Sequence, residues 1–263
     1  MKSILITGGM GGMGLATAKL LAAQGFKVFC LDRKGQTTQE NILFIETDVT
    51  DEQSVKAAFQ KITAETNELC GILHFAGIYV LDSLIEIGDE QFKETVDVNL
   101  HGVFLINKVF FPLLKRGSKI IVTTSELAPL DPLPFTGLYA LTKSALDKYA
   151  YSLRMELQLL GIDVSVIRAG AVDTGMLGVS TSHLDRFCEQ TKLYSFSAKR
   201  FKRIVNSVET RCVPPQKIAE KAAKILKKKN PKFVYNINRN PLLLLLNLLP
   251  KGTQLFAIRM ILR

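Results

Sequence analysis

Several things are scarce in this chain of 263 residues. Its four cysteines, Cys30, Cys70, Cys188 and Cys212, show no C-x-x-C spacing. They read as reduced thiols, not as a disulfide framework, and point to a cytoplasmic protein. Only three histidines occur, His74, His101 and His183, and none pairs at metal-ligand spacing. No metal site is expected. No apolar run reaches the roughly eighteen residues a membrane-spanning helix needs. The first strand signal begins almost at Met1, so no signal peptide is expected. Acidic residues are scarce in the last quarter. Residues 192–263 hold half of the 34 Lys+Arg but only two of the 24 Asp+Glu, Glu209 and Glu220. Such a balance fits a solvated lysine-rich surface, or an electropositive face for an anionic substrate, an acidic protein or a membrane. No recognition motif accompanies the charge, so nucleic acid is not an expected partner. There is no internal repeat and no second domain, which leaves one domain over 1–263.

What is present starts with glycine. Thr7-Gly8-Gly9-Met10-Gly11-Gly12-Met13-Gly14 lies between an apolar strand, Ile4-Leu5-Ile6, and a helical run, Leu15 to Leu21. A glycine-rich strand-to-helix turn offers backbone N–H groups and a positive helix end to a diphosphate. A Cβ would block the tight turn and the close approach of phosphate. The run fits G-x-G-x-x-G at Gly9, Gly11 and Gly14, and T-G-x-x-x-G-x-G from Thr7 to Gly14. Dinucleotide binding is the reading this context favours over a flexible linker.

Strand and helix signals then alternate, which predicts an α/β fold: a Rossmann-type, doubly wound parallel sheet of about seven strands with helices on both faces. Strands are expected at Lys27–Leu31, Ile42–Ile45, Ile72–Phe75, Lys119–Thr124, Asp163–Ile167 and Lys232–Ile237. Helices are expected at Asp51–Thr66, Asp89–Leu114, Tyr139–Leu160 and Pro214–Lys229. Asp32 ends the second strand, where such folds bind the adenosine ribose. Its carboxylate would accept hydroxyl hydrogen bonds and repel a 2′-phosphate, which favours NAD over NADP. The neighbouring cations Arg33 and Lys34 argue the other way. From Gly175 to Arg211 the periodicity fades, so a substrate lid is expected at about 175–211. An apolar and basic extension follows at about 238–263.

Tyr139-Ala140-Leu141-Thr142-Lys143 sets a tyrosine and a lysine four apart, on one helix face. A phenol is a poor base near neutral pH. A nearby ammonium and a nicotinamide cation would lower its pKa and let it exchange a proton with an alcohol or carbonyl oxygen. Ser125, at a strand end, could hydrogen-bond the same oxygen. Asn99 sits among apolar residues, so its amide needs partners or a task.

Here the chain resembles the short-chain dehydrogenase/reductase family, in its single-domain branch. The resemblance runs from about Met1 to Thr174. Its catalytic tetrad matches Asn99, Ser125, Tyr139 and Lys143. The family implies that Lys143 also binds nicotinamide ribose hydroxyls and that Asn99 holds a relay water. It implies further cofactor contacts from Gly8, Met10, Gly12, Met13 and Gly14 in the turn, from Asp32 and Arg33, and from Asp48, Val49, Ala76, Gly77, Val172 and Thr174. His74-Phe75-Ala76-Gly77 replaces the family's N-N-A-G, with His74 read as a core substitute. Ala169-Gly170 replaces its Pro-Gly.

The residues expected to face substrate, beside Ser125 and Tyr139, are apolar: Leu127, Leu133, Phe135, Leu138, Met176 and Leu177. None offers a charged anchor close to Ser125. A bulky apolar alcohol or ketone follows. Leu133-Pro134-Phe135 and the leucine-rich tail resemble hydroxysteroid- and retinol-converting members. The alternatives are a 3-oxoacyl-thioester reductase and a non-catalytic NAD-binding sensor. A homodimer or homotetramer is expected. The leucines from Leu242 to Leu249 either cap the core or an interface, or make peripheral contact with a membrane.

Overall fold

Ile4, Leu5 and Ile6 have no solvent exposure, so strand β1 (Ser3–Thr7) is buried on both faces, as a central parallel strand must be. The computed structural model describes every residue except 38 and 210, and places no side chains for 176–182, 208 and 209. The other strands are β2 (Lys27–Asp32), β3 (Ile42–Glu46), β4 (Leu69–His74), β5 (Leu114–Ser125), β6 (Asp163–Ala169) and β7 (Val234–Ile237). They form one parallel sheet in the order β3-β2-β1-β4-β5-β6-β7, as the alternating pattern predicts. Register sets Thr7 level with Leu31 and His74, and Ser125 level with Ala169. The strand ends therefore share one edge, and the order reverses between β1 and β4, where a crevice opens.

Two helical layers bury the sheet. On one face lie α2 (Glu52–Thr63), α4 (Gly102–Phe110) and α5 (Gly137–Leu157), through Val55, Ile62, Ile106, Phe110, Leu146 and Ala150. On the other lie α1 (Gly12–Ala23) and α8 (Pro215–Lys227), through Ala18, Leu21, Ile218 and Ala222. Asp51 starts α2 by accepting from the N–H groups of Gln53 and Ser54, at 2.9 and 3.3 Å. Helix α3 (Asp89–Val96) runs into α4 through a π turn at Asp97–His101. An ion pair fastens α5 to β6: Arg168 donates from Nη2 to Asp147 Oδ2 at 2.6 Å and from Nε to Oδ1 at 3.0 Å.

Three expectations change. The stretch 175–211 is not structureless but holds two helices, α6 (Gly175–Gln190) and α7 (Ser195–Glu209). They pack on each other through Leu184, Phe187, Ala198 and Phe201. Glu86 ties their junction down, accepting from the Thr191 hydroxyl at 2.6 Å and the Lys192 N–H at 2.8 Å. The last strand begins at Val234, not Lys232. The leucine-rich end forms α9 (Pro241–Leu248) and α10 (Lys251–Leu262), separated at Pro250, while Gly252 is absorbed into the first turn of α10. Among the described residues no helix is long and apolar enough to cross a membrane.

Candidate active site

Beyond β1 the chain turns through Gly8, whose φ of 64° suits glycine. A Cβ there would lie 2.6 Å from Ala76 N, and one on Gly12 would lie 2.6 Å from Thr174 Cγ2. A Cβ on Gly14 would strike Gly8 O. Gly9 instead packs against Cys30. Gly8, Gly11, Gly12 and Gly14 face the ligand edge, whereas Gly9 does not.

These glycines open onto a cavity of about 550 Å³. Met13, Asp32, Arg33, Asp48, Val49, Ala76, Gly77 and Thr174 line it as well. Leu31, Thr47, Gln91, Val98 and His183 also line it, none of which carried a motif. Met10 does not line it. Its N–H donates to Asp32 Oδ2 at 3.0 Å, and its side chain covers Gly35. Asp32 Oδ1 accepts from Arg33 N–H at 2.9 Å, so the carboxylate is held rigidly at the end of β2. The chain supplies what a dinucleotide needs here: a Cβ-free cradle, a helix N-terminus and an oriented acceptor. Asp48 lies beside it. Burial opposes ionisation of its carboxyl, but hydrogen bonds from the Thr50 hydroxyl and N–H outweigh that and hold it below the usual range.

A second cavity of about 250 Å³ shares Met13, Phe75, Gly77, Ile78, Tyr79 and Thr174 with the first. Ser125, Tyr139, Lys143 and Val172 face this one. Tyr139 and Ser125 line this cavity together, and the Tyr139 ring meets Tyr79 edge-on at 4.4 Å. Lys143 is 6% exposed, and its Nζ donates to Thr123 O at 3.3 Å. A Cβ on Gly77 would lie 3.1 Å from Asn99 Oδ1 and 3.4 Å from Lys143 Nζ, so that glycine lets the two approach. Asn99 lies in the π turn, where its Oδ1 accepts from Ile78 N–H at 2.8 Å and its Nδ2 donates to Ile78 O at 2.9 Å. Nδ2 also donates to Thr142 Oγ1 at 3.1 Å. The amide thus clamps the irregular segment after β4 to α5. π turns recur at functional sites because they re-aim one side chain within a continuous helix.

Leu127 and Leu133 line the second cavity as expected. Phe135 stands one layer behind, with its ring against Phe187, Tyr194 and Phe201 at 4.8, 5.4 and 5.4 Å, and it is Phe201 that reaches the cavity. Leu138 is buried away from it. Met176 and Leu177 fall outside the described side chains. Ile204 and Val205 of α7, in the stretch expected as a lid, and Asn240, Leu242 and Leu243 at α9, in the leucine-rich tail, complete the wall. The expectation that no charge lies near Ser125 is wrong: Glu126 lines the same cavity. His74 is a core residue. Burial pushes its pKa down to about 4, and the neutral ring meets Asn107 Oδ1 at 2.9 Å. Among the described residues no cluster could hold a metal ion.

The short chain dehydrogenase family model matches residues 2–185, a span that includes the glycine turn and all four tetrad positions. The chain belongs to that family. A 3-ketodihydrosphingosine reductase of Bacteroides thetaiotaomicron is 26% identical over 88% of this chain and 85% of its own length. The estradiol 17-beta-dehydrogenase 2 of Mus musculus is 31% identical over 67% of this chain, which spans half of that protein. A short chain dehydrogenase family protein from Francisella tularensis superposes with a TM-score of 0.75 at 25% identity, over 90% of this chain and 97% of that one. This short-chain dehydrogenase is therefore an NAD(P)-dependent oxidoreductase of CH–OH and keto groups.

The electrostatics of the dehydrogenase differ from expectation. Burial pushes the Tyr139 phenol up to about 12, against the Ser125 hydrogen bond that lowers it. Burial also pushes Lys143 down to about 8, so the ammonium near the phenol is itself costly. Desolvation outweighs pair attraction in this slot. The folded state therefore binds fewer protons at Lys143 than the unfolded state between pH 8 and 10.5, and stability from this group rises with pH there. We expect the stability of the wild type minus that of Lys143→Met, read by urea unfolding, to rise by about 1–2 kcal/mol from about pH 7 to about pH 9.5. A flat difference would show that Lys143 titrates as an exposed lysine.

Proposed function

We propose that this dehydrogenase transfers a hydride between NAD(H) and an apolar secondary alcohol or ketone, with Tyr139 as general acid–base. The observation that carries this reading is the shared wall of the two cavities: the tyrosine–serine pair stands on the apolar side, next to the glycine cradle. The nicotinamide, when bound, supplies the hydride acceptor or donor. Ser125 Oγ orients the substrate oxygen. Tyr139 Oη takes the alcohol proton in oxidation and returns it in reduction. Lys143 and a nicotinamide cation offset the burial that holds the phenol neutral. Asn99 fixes the α5 side of this arrangement. Leucine, valine and phenylalanine walls fit a steroid-like or long alkyl substrate. Tyr139→Phe should lower kcat by about 100- to 10,000-fold. It should leave NAD binding within about threefold, because the glycine turn is untouched. Residual turnover above a tenth of wild type would remove Tyr139 from the role.

NAD is proposed over NADP because Asp32 is pinned by two backbone N–H groups at the ribose end of the cavity. Arg33 faces Glu94, at 3.9 Å, which lowers its value as a phosphate anchor. We expect kcat/KM to favour NAD, and Asp32→Ala to narrow that ratio. A higher kcat/KM with NADP in the wild type would overturn the assignment.

We also propose that α9 and α10 rest on an anionic membrane surface. Leu242, Leu245, Leu248, Leu255, Phe256 and Met260 are all more than half exposed, so these side chains do not cap the core. No acidic residue occurs from Lys221 to Arg263, while Lys251, Arg259 and Arg263 lie on α10 or at its end. Apolar and basic side chains on short surface helices suit an interfacial position, each cation adding about 1 kcal/mol. Co-sedimentation with anionic vesicles at low salt, lost in high salt and with neutral vesicles, is the expected result. Equal recovery in every supernatant would refute it.

A further inference from the structure

The apolar cavity holds a carboxylate that the reaction does not use. Glu126 follows Ser125 directly, is 7% exposed and is the one acidic residue among the described residues that line this cavity. Its Oε2 accepts from Asn240 N–H at 2.6 Å, which tethers the start of α9. No hydrogen-bond donor among the described residues reaches Oε1. A Cβ on Gly170 would strike Asn238 O and would also lie 3.0 Å from Glu126 Oε1. Burial holds its carboxyl above the usual range, against the Asn240 N–H and the exposed Arg239, which favour the charged form; Lys143, in the same cavity, is not among the groups that perturb it. A buried carboxylate with one donor is costly unless something else completes its shell. A tether alone needs a single neutral acceptor. Glu126 lines the same cavity as Ser125 and Tyr139, the space in which a substrate atom near the reacting carbon must lie.

We infer that Glu126 is a specificity-determining residue, which selects an apolar substrate carrying a hydrogen-bond donor, foremost a protonated amine, beside the reacting carbon. This rests on the proposed reading of the cavity as the substrate site. An ammonium or hydroxyl there completes the Oε1 shell. A carboxylate or phosphate at the same place meets like charge in a dry wall and is rejected. A cation at Glu126 also removes one of the charges that push the Tyr139 phenol upward. Selection and acid–base readiness then act in the same direction.

Binding to the NAD-loaded enzyme decides the matter, read as dissociation constants for octylamine, octanol and octanoate by calorimetry. The wild type should bind octylamine about 10-fold or more tighter than octanol, and octanoate most weakly. Glu126→Gln keeps an acceptor for Asn240 N–H and should bring the amine-to-alcohol ratio to within about twofold. A wild type without amine preference, or a variant that weakens all three ligands equally, overturns the inference and leaves Glu126 as a tether of α9. In parallel, kcat/KM is compared for 1-amino-2-octanone and 2-octanone. Failure to reduce either ketone counts against the proposed reaction, while the binding ratios still judge Glu126.

Discussion

The cost of keeping Lys143 out of water governs the layout around it. A backbone carbonyl at 3.3 Å and the nearby oxygen of Asn99 are dipoles, and they compensate an ammonium only in part. The lysine can be held there because α5 is locked to the sheet by the Asp147–Arg168 pair and to the π turn by Thr142 and Asn99. A Cβ on Gly77 would crowd Asn99 Oδ1 at 3.1 Å, so the glycine eases the packing of this slot. The group is thus poised between charge states, and the field of whatever enters the cleft tips it. That is the condition a proton-transfer site needs.

The two halves of the cleft are built differently. The cofactor side comes from strand ends and the turn after β1, which the sheet register fixes. The substrate side comes from α7 and the start of α9, anchored by Glu86 at the α6–α7 junction, by Glu126 at Asn240 and by Asn247, which accepts from Asp131 N–H at 2.7 Å. The first half is constrained by hydrogen bonds throughout. The second is held at a few points, so its shape can change with few substitutions while the chemistry stays in place.

Legibility in the sequence followed the same division. The glycine turn, Asp32, the tyrosine–lysine pair and the alternation of strands and helices are local patterns, and the structure brings those residues to one edge. Met10 and Phe135 are adjacent to functional positions in sequence, yet one packs on Gly35 and the other behind Phe201. Neighbourhood along the chain does not settle which way a side chain points. Phe201, Ile204 and Leu243 reach the cavity only through tertiary packing, which no spacing encodes. Glu126 was in plain view beside Ser125, but a reading of the pocket by its apolar residues passes over the single acid. The cost of burying the Tyr139 phenol is not legible in Y-x-x-x-K, because dryness belongs to the finished cleft.

The π turn at Asp97–His101 has one further consequence. A helical residue adds about 100° of rotation, so a turn widened by one residue offsets the surfaces before and after it by that angle. Helix α3 can then address α5 while α4 addresses the core beside α2, along one unbroken backbone. Asn99 sits at the phase boundary. The helix acts as a gear with one extra tooth, and shortening it by that tooth would turn either the asparagine or the Phe110 side of the core out of mesh.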